Sequence, residues 1–150
     1  MNAIDLLKDD HREVEQLFSE FLASEDSEPN QREELFQQIE KELLIHGDIE
    51  EKIFYPAVEK FSPGKIQEAI REHAEVKKLL AELLELEIDE DAFDKKLTTL
   101  MENVQKHVQE EEAPSGVLEL ARKNFNAARL DQLGRQMQEM KDSSSEELAA

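Results

Sequence analysis

The chain has no cysteine among its 150 residues, so it can form neither a disulfide nor a thiolate metal site, and a reducing, cytoplasmic setting is expected. Only four glycines and four prolines punctuate it, and strand-type alternation is absent, which turns the search toward helical periods near 3.6 residues. No apolar run approaches the roughly 18 residues of a membrane span, and the opening MNAIDLLKDDH is charged too early for a secretory signal. Cations are scarce: 18 Lys plus Arg against 37 Asp plus Glu leave a net charge of −19. The nearest approach to a basic patch is Lys95-Lys96. Such a chain is repelled by nucleic-acid phosphate and by anionic membrane surfaces, so neither is an expected partner. What remains is 39% hydrophobic, enough for a single-domain core rather than a disordered acidic polymer.

Apolar residues fall in long helical stripes. The first reads Ile4, Leu7, His11, Val14, Leu17 or Phe18, and Phe21, with Asn2 as N-cap and a break in SEDSEP at 24–29, predicting a helix over 3–23. The second, opened by Pro29, reads Leu35, Ile39, Leu43, His46, Glu50, Ile53 and Ala57, predicting a helix over 30–60 that Pro56 kinks and Ser62-Pro63-Gly64 ends. A third stripe, Ile66, Ile70, His73, Val76, Leu80 and Leu83 or Leu84, predicts a helix over 63–86. The fourth begins at Asp89 or Asp91 and reads Phe93, Leu97, Leu100, Val104, His107 and Glu111, stopping or bending at Pro114. Gly116 to Lys123 continues helical, and Asn126 caps a last short helix through Lys141. Each stripe needs another helix to cover it. The expectation is an all-α, up-and-down antiparallel four-helix bundle with a short additional C-terminal helix, one domain over 1–141 and a flexible acidic tail over 142–150.

All four histidines fall on these buried stripes. His46 is followed four residues later by Glu50 and His107 four residues later by Glu111, and residues at that spacing share a helix face. The pattern repeats: His11 and His73 are 62 residues apart, His46 and His107 are 61, and Glu50 and Glu111 are 61, as two copies of one hairpin would give. At a rise of 1.5 Å per residue, both histidines of the first hairpin lie roughly 18–24 Å from its loop, so all six side chains should meet at one level. Unpaired ionised carboxylates in a core cost several kcal/mol each, against a domain's net stability of about 5–15 kcal/mol. Bound metal compensates such a cost. Six nitrogen and oxygen donors without sulfur exceed a structural zinc site and suit iron or manganese, or less selectively zinc or copper. Two ions bridged by Glu50 and Glu111, with two histidines each, satisfy the count, although spacing does not say which histidines pair. The Glu-x-x-His signature of ferritin-like bundles is absent, since Lys8, Leu43, Ile70 and Val104 stand three residues before the histidines.

These segments, LLKDDHREV with His11, HGDIEEKIFYP with His46 and Glu50, REHAEV with His73, and HVQEEE with His107 and Glu111, resemble the hemerythrin-like, or HHE cation-binding, domain. The closing NAARLDQLGRQMQEMK is similar in character, so the resemblance spans about residues 3–141. It implies a four-helix bundle around a non-haem centre of two irons with bridging carboxylates, usually an oxo or hydroxo bridge, and an open position for dioxygen. Oxygen-carrying members have a further histidine where this chain has Lys77, and some iron-sensing relatives have a carboxylate where it has Gly47. Fewer protein ligands leave room for solvent or another carboxylate, for which Glu72, Glu75 and Glu110 are near in sequence. The chain is therefore expected to be a non-enzymatic metal-binding protein that senses oxygen, nitric oxide, peroxide or redox state, or handles iron. A di-metal peroxidase or oxidase and a metal-independent helical interaction module are the alternatives. Tyr55, Phe54 and Ile53 read as core and kink packing, Met101, Met137 and Met140 as core filler, and the EEE run at 110–112, apart from Glu111, as a solvated face. Nothing suggests a Ser-His-Asp triad or a phosphate-binding glycine loop.

Overall fold

The computed structural model describes residues 1–24 and 27–149. The first helix, α1, spans Ala3–Leu22, and the Asn2 side-chain oxygen accepts the Asp5 backbone N–H at 2.8 Å, as the cap requires. Of the break that follows, residues 25 and 26 lie outside the described residues. Helix α2 spans Pro29–Ile49, with Pro29 in the first turn, where its missing N–H is not needed. A π-helical turn over Glu50–Phe54 leads into the short α3, Tyr55–Val58, and a 3₁₀ turn, Glu59–Phe61. Helices α4 (Pro63–Leu84) and α5 (Asp91–Glu112) form the second hairpin, followed by α6 (Val117–Asn124) and α7 (Ala127–Ala149).

Helices α1 and α2 pack together, as do α4 and α5, while α1 against α5 and α2 against α4 close the four-helix bundle. Helix α7 lies along α1, α2 and the π turn. Its approach to the start of α1 is close, for a Cβ on Gly134 would stand 2.3 Å from the Met1 carbonyl oxygen. Asn126 caps α7 by accepting the Arg129 N–H at 2.8 Å. This helix is not short, and the segment expected as a tail from 142 continues it to Ala149. Exposed contacts of the helical i,i+4 kind, such as Gln138 donating to Asp142 at 2.9 Å, carry it past Lys141.

Pro56 changes more than a kink. Proline cannot donate to the carbonyl four residues back and its ring crowds that carbonyl. The helix widens just before it, and the Tyr55 N–H reaches back five residues to the Glu50 carbonyl. One residue of extra winding rotates everything downstream. The buried positions after Glu50 become Phe54, Tyr55 and Val58, while Ile53 and Ala57, expected on the stripe, are only half-buried. A smaller shift occurs on α4, where Ala69 is buried and the expected Ile70 is exposed.

The apolar core is in two parts. One surrounds Leu7, Ile49, Phe54, Ile66, Leu118 and Leu133; the other surrounds Phe18, Phe21, Ile39, Leu83, Phe93 and Leu97. Each large side chain fully buried there contributes about 1.5–3 kcal/mol. At the outer end of the second part, buried Arg32 lies over the Phe21 ring and binds the Ile88 carbonyl and Asp94, tying the loop ends together. Between the two parts lies a layer of buried polar side chains: Asp10, His11, His46, Glu50, His73, His107 and Glu111. Two flanking apolar clusters are what allow the bundle to hold such a layer.

Candidate metal centre

Each of the four bundle helices, or the π turn continuing α2, delivers part of this layer: α1 brings His11, α2 His46, the π turn Glu50, α4 His73, and α5 both His107 and Glu111. All six side chains expected from the sequence converge. Ligand-type atoms of His11, His46, Glu50 and Glu111 lie within 4.8 Å of one another, and those of Glu50, His73 and His107 form a second such group. The histidines thus pair as His11 with His46 and His73 with His107, and Glu50 belongs to both groups. Glu111 also faces both, with Oε1 3.3 Å from His11 Nε2 and Oε2 3.3 Å from His107 Nε2. Glu50 Oε1 stands 3.1 Å from Nε2 of both His46 and His73.

Every inward nitrogen is Nε2, and every outward Nδ1 meets a carboxylate. His11 pairs with Glu112 at 2.7 Å, His46 with Asp10 at 3.0 Å, His73 with Glu51 at 2.9 Å, and His107 with Glu72 at 2.7 Å. A carboxylate on Nδ1 places the proton there and leaves the Nε2 lone pair for a metal, the usual support behind metal-bound histidine. Of these four acids, Asp10, Glu51 and Glu112 were not legible as site residues, and none was legible as a histidine support. Glu72, considered as a further ligand, instead orients His107, while Glu110 and Glu75 are exposed, with Glu110 beside Glu72. Glu112, expected on a solvated face, supports His11.

Four buried atoms have no hydrogen-bond partner among the described residues: Nε2 of His11, Nε2 of His46, Oε2 of Glu50 and Oε1 of Glu111. Groups of this kind are rarely left unsatisfied in a folded interior. Burial alone would push the His46 imidazole down, but the negative charge of Glu50 and the hydrogen bond to Asp10 outweigh it and bring the group up to about 10. His73 and His107 are also raised against their burial, by Glu50 and Glu111 respectively together with their other carboxylate partners. Burial raises Glu50, yet His46, His107 and His73 hold it well below the usual carboxylate range. Protons on imidazoles therefore balance the buried carboxylates, and a cation can take their place.

Tyr55 is the other residue that sequence reading missed. Its hydroxyl donates to Glu111 Oε2 at 2.5 Å and lies 3.3 and 3.4 Å from Nε2 of His73 and His107. Burial, with Glu50 and Glu111 nearby, pushes the phenol well above its usual value, so it stays protonated. The signal was present: Tyr55 directly precedes Pro56 and lies five residues after Glu50, the interval that a π turn stacks on one face.

A cavity of about 40 Å³ adjoins all four histidines and is walled by Val14, Leu43, Leu44, Val76, Val104 and Val108. That exceeds the roughly 10–15 Å³ one water needs on a comparable measure. Lys77 and Gly47 line it as well, so the position of the missing fifth histidine borders the space beside the centre. From the side of α4 and the α5–α6 turn, a wider groove carrying Glu68, Glu72 and Glu110 reaches His107 and Glu111.

Known proteins resemble this chain in fold and in sequence. A crystal structure of a hemerythrin HHE cation-binding domain-containing protein from Mycobacterium kansasii superposes with a TM-score of 0.79 at 25% identity, covering 96% of this chain and 87% of that one. A protein of Nostoc sp. (strain PCC 7120 / SAG 25.82 / UTEX 2576) described as a DNA nickase is 33% identical over 133 residues. That alignment takes in 88% of this chain but 37% of the relative, so the chain spans little more than a third of it. Residues 2–114, which hold all six converging side chains, match the hemerythrin HHE cation-binding domain, and the chain belongs to that family.

Proposed function

We propose that the chain binds two metal ions, iron being the expected metal with manganese or zinc as substitutes, and that it serves as a non-enzymatic binding protein. His11 and His46 would hold one ion, His73 and His107 the other, with Glu50 and Glu111 between them. The observation that carries this reading is the pair of ligand groups that share Glu50, the first of which, His11, His46, Glu50 and Glu111, holds four buried atoms without a hydrogen bond among the described residues. Iron there would supply Lewis acidity and a one-electron redox change. The protein supplies the rest. Asp10, Glu51, Glu72 and Glu112 hold the Nδ1 protons, Tyr55 occupies one oxygen of Glu111 and leaves the other free, and the valine and leucine walls restrict water.

A cavity of this size and apolarity admits dioxygen, nitric oxide or peroxide, which supports sensing of such a ligand or of redox state, or the handling of iron. Nicking belongs to the Nostoc relative and is not assigned here, because a net charge of −19 opposes contact with phosphate. Spectra of the iron-loaded chain in oxidised, reduced and ligand-exposed forms test the reading. Ferric charge-transfer absorption that bleaches on reduction and shifts with a small ligand is expected. Spectra indifferent to all three treatments would overturn it.

A further inference from the structure

The four carboxylates behind the histidines are not alike. Side chains of Glu51, Glu72 and Glu112 are 26%, 18% and 33% exposed, so water can share their charge, whereas that of Asp10 is 3% exposed. A buried carboxylate needs a partner more than an exposed one does. Asp10 has two: its Oδ2 faces His46 Nδ1 at 3.0 Å, and its Oδ1 accepts from the Lys141 ammonium at 2.5 Å. Among the described residues, none of the other three has a lysine or arginine nitrogen within 4.0 Å. Lys141 comes from α7, beyond the segment that matches the family. It lies one turn past Met137, which is fully buried against α1 and the π turn, so apolar packing of α7 sets where the ammonium falls.

We propose that Lys141 is a positioning residue of the metal centre: by holding Asp10 it fixes the His46 ring and makes the His11–His46 ion position depend on a charge that the His73–His107 position does not share. The inference rests on the two-ion reading above. Asp10 fixes His46 only while both its oxygens are engaged. Without Lys141 the buried carboxylate is free to rotate toward water or to draw the His46 proton inward, and the Nε2 lone pair loses its aim. Removing a partner behind a metal-bound histidine costs about tenfold to a hundredfold in affinity.

The test is stepwise Co²⁺ loading of the full chain against a competing chelator, read by ligand-field absorption, in the unmodified protein and in Lys141→Met, Lys141→Arg and Met137→Ala. Lys141→Met should weaken one cobalt step by about tenfold, the low end of the tenfold to hundredfold for losing the direct partner of a metal-bound histidine because Lys141 acts through Asp10, and leave the other within about threefold. Lys141→Arg should restore most of the affinity, and Met137→Ala, which loosens the packing that seats the ammonium without removing its charge, should weaken the same step by less than Lys141→Met does. Equal weakening of both steps by Lys141→Met, or no weakening, would overturn the proposal. An unmodified chain that binds no cobalt would instead overturn the two-ion reading itself.

Discussion

Glu50→Gln isolates the charge at the centre of the layer, because glutamine keeps the shape and opens no cavity. Glu50 is fully buried and its Oε1 lies 3.1, 3.1 and 3.7 Å from Nε2 of His46, His73 and His107. Removing one member of a buried charge set costs about 3–5 kcal/mol. Here the lower figure applies, since the imidazoles can release protons once their carboxylate is gone. About 3 kcal/mol in a domain of this size lowers Tm by about 6–12 °C, taking 2–4 °C per kcal/mol. The pH dependence has a definite sign. His46 is raised from 6.5 to about 10, so its contribution is fully present below 6.5 and is lost as pH rises through about 10. The gap between the unmodified protein and Glu50→Gln, measured by circular dichroism melting with chelator present, should be widest near pH 6 and narrow toward pH 10, where His46 loses its proton while the more strongly raised His107 keeps its own. A variant at least as stable as the unmodified chain near pH 6, or a gap that grows with pH, would refute the charge balance described for the layer.

Other outcomes follow from single contacts. Apparent metal affinity should rise with pH between about 6.5 and 10, because each ion must displace protons from the raised imidazoles; chelator competition at several pH values measures it, and a flat profile would count against those protons. Tyr55→Phe removes the O–H on Glu111 and should destabilise the metal-free protein by about 1–3 kcal/mol, the range for an orphaned buried acceptor; an unchanged melting curve would mean the bond contributes nothing. Gly134→Ala places a Cβ against the Met1 carbonyl and should separate the start of α1 from α7, costing about 1–3 kcal/mol as overpacking does, with faster amide exchange in α7. Exchange unchanged from that of the glycine protein would show that the two ends are not in contact.

Much of this was legible because the ligand residues obey strict helical spacing. On α5 every residue of the expected stripe from Phe93 to Glu111 is buried. On α1 the agreement is nearly as close, with Phe18 rather than Leu17 completing the stripe. The periodicity failed where the backbone stopped being an α-helix. The π turn before Pro56 moved Phe54, Tyr55 and Val58 inward, and with them came a site residue read as packing. The supporting acids escaped for a different reason: Glu51 and Glu112 keep partial exposure, and in a chain with 37 acidic residues nothing local separates them from solvated surface, while Glu72 was singled out only as a candidate ligand. Asp10 was harder still, since its partners lie on α2 and α7, far away in sequence. Which histidines pair depends on neighbours across the bundle, and spacing within a helix does not encode that.

The central claim is that the polar layer is a two-ion site rather than a self-satisfied hydrogen-bond network. Metal content after aerobic reconstitution with ferrous iron and removal of loosely bound ions tests it most directly. About two irons per chain, falling in Glu50→Gln and accompanied by a Tm that drops on chelation, is the result this account predicts. One zinc or no metal per chain, with a Tm indifferent to chelator, would contradict it.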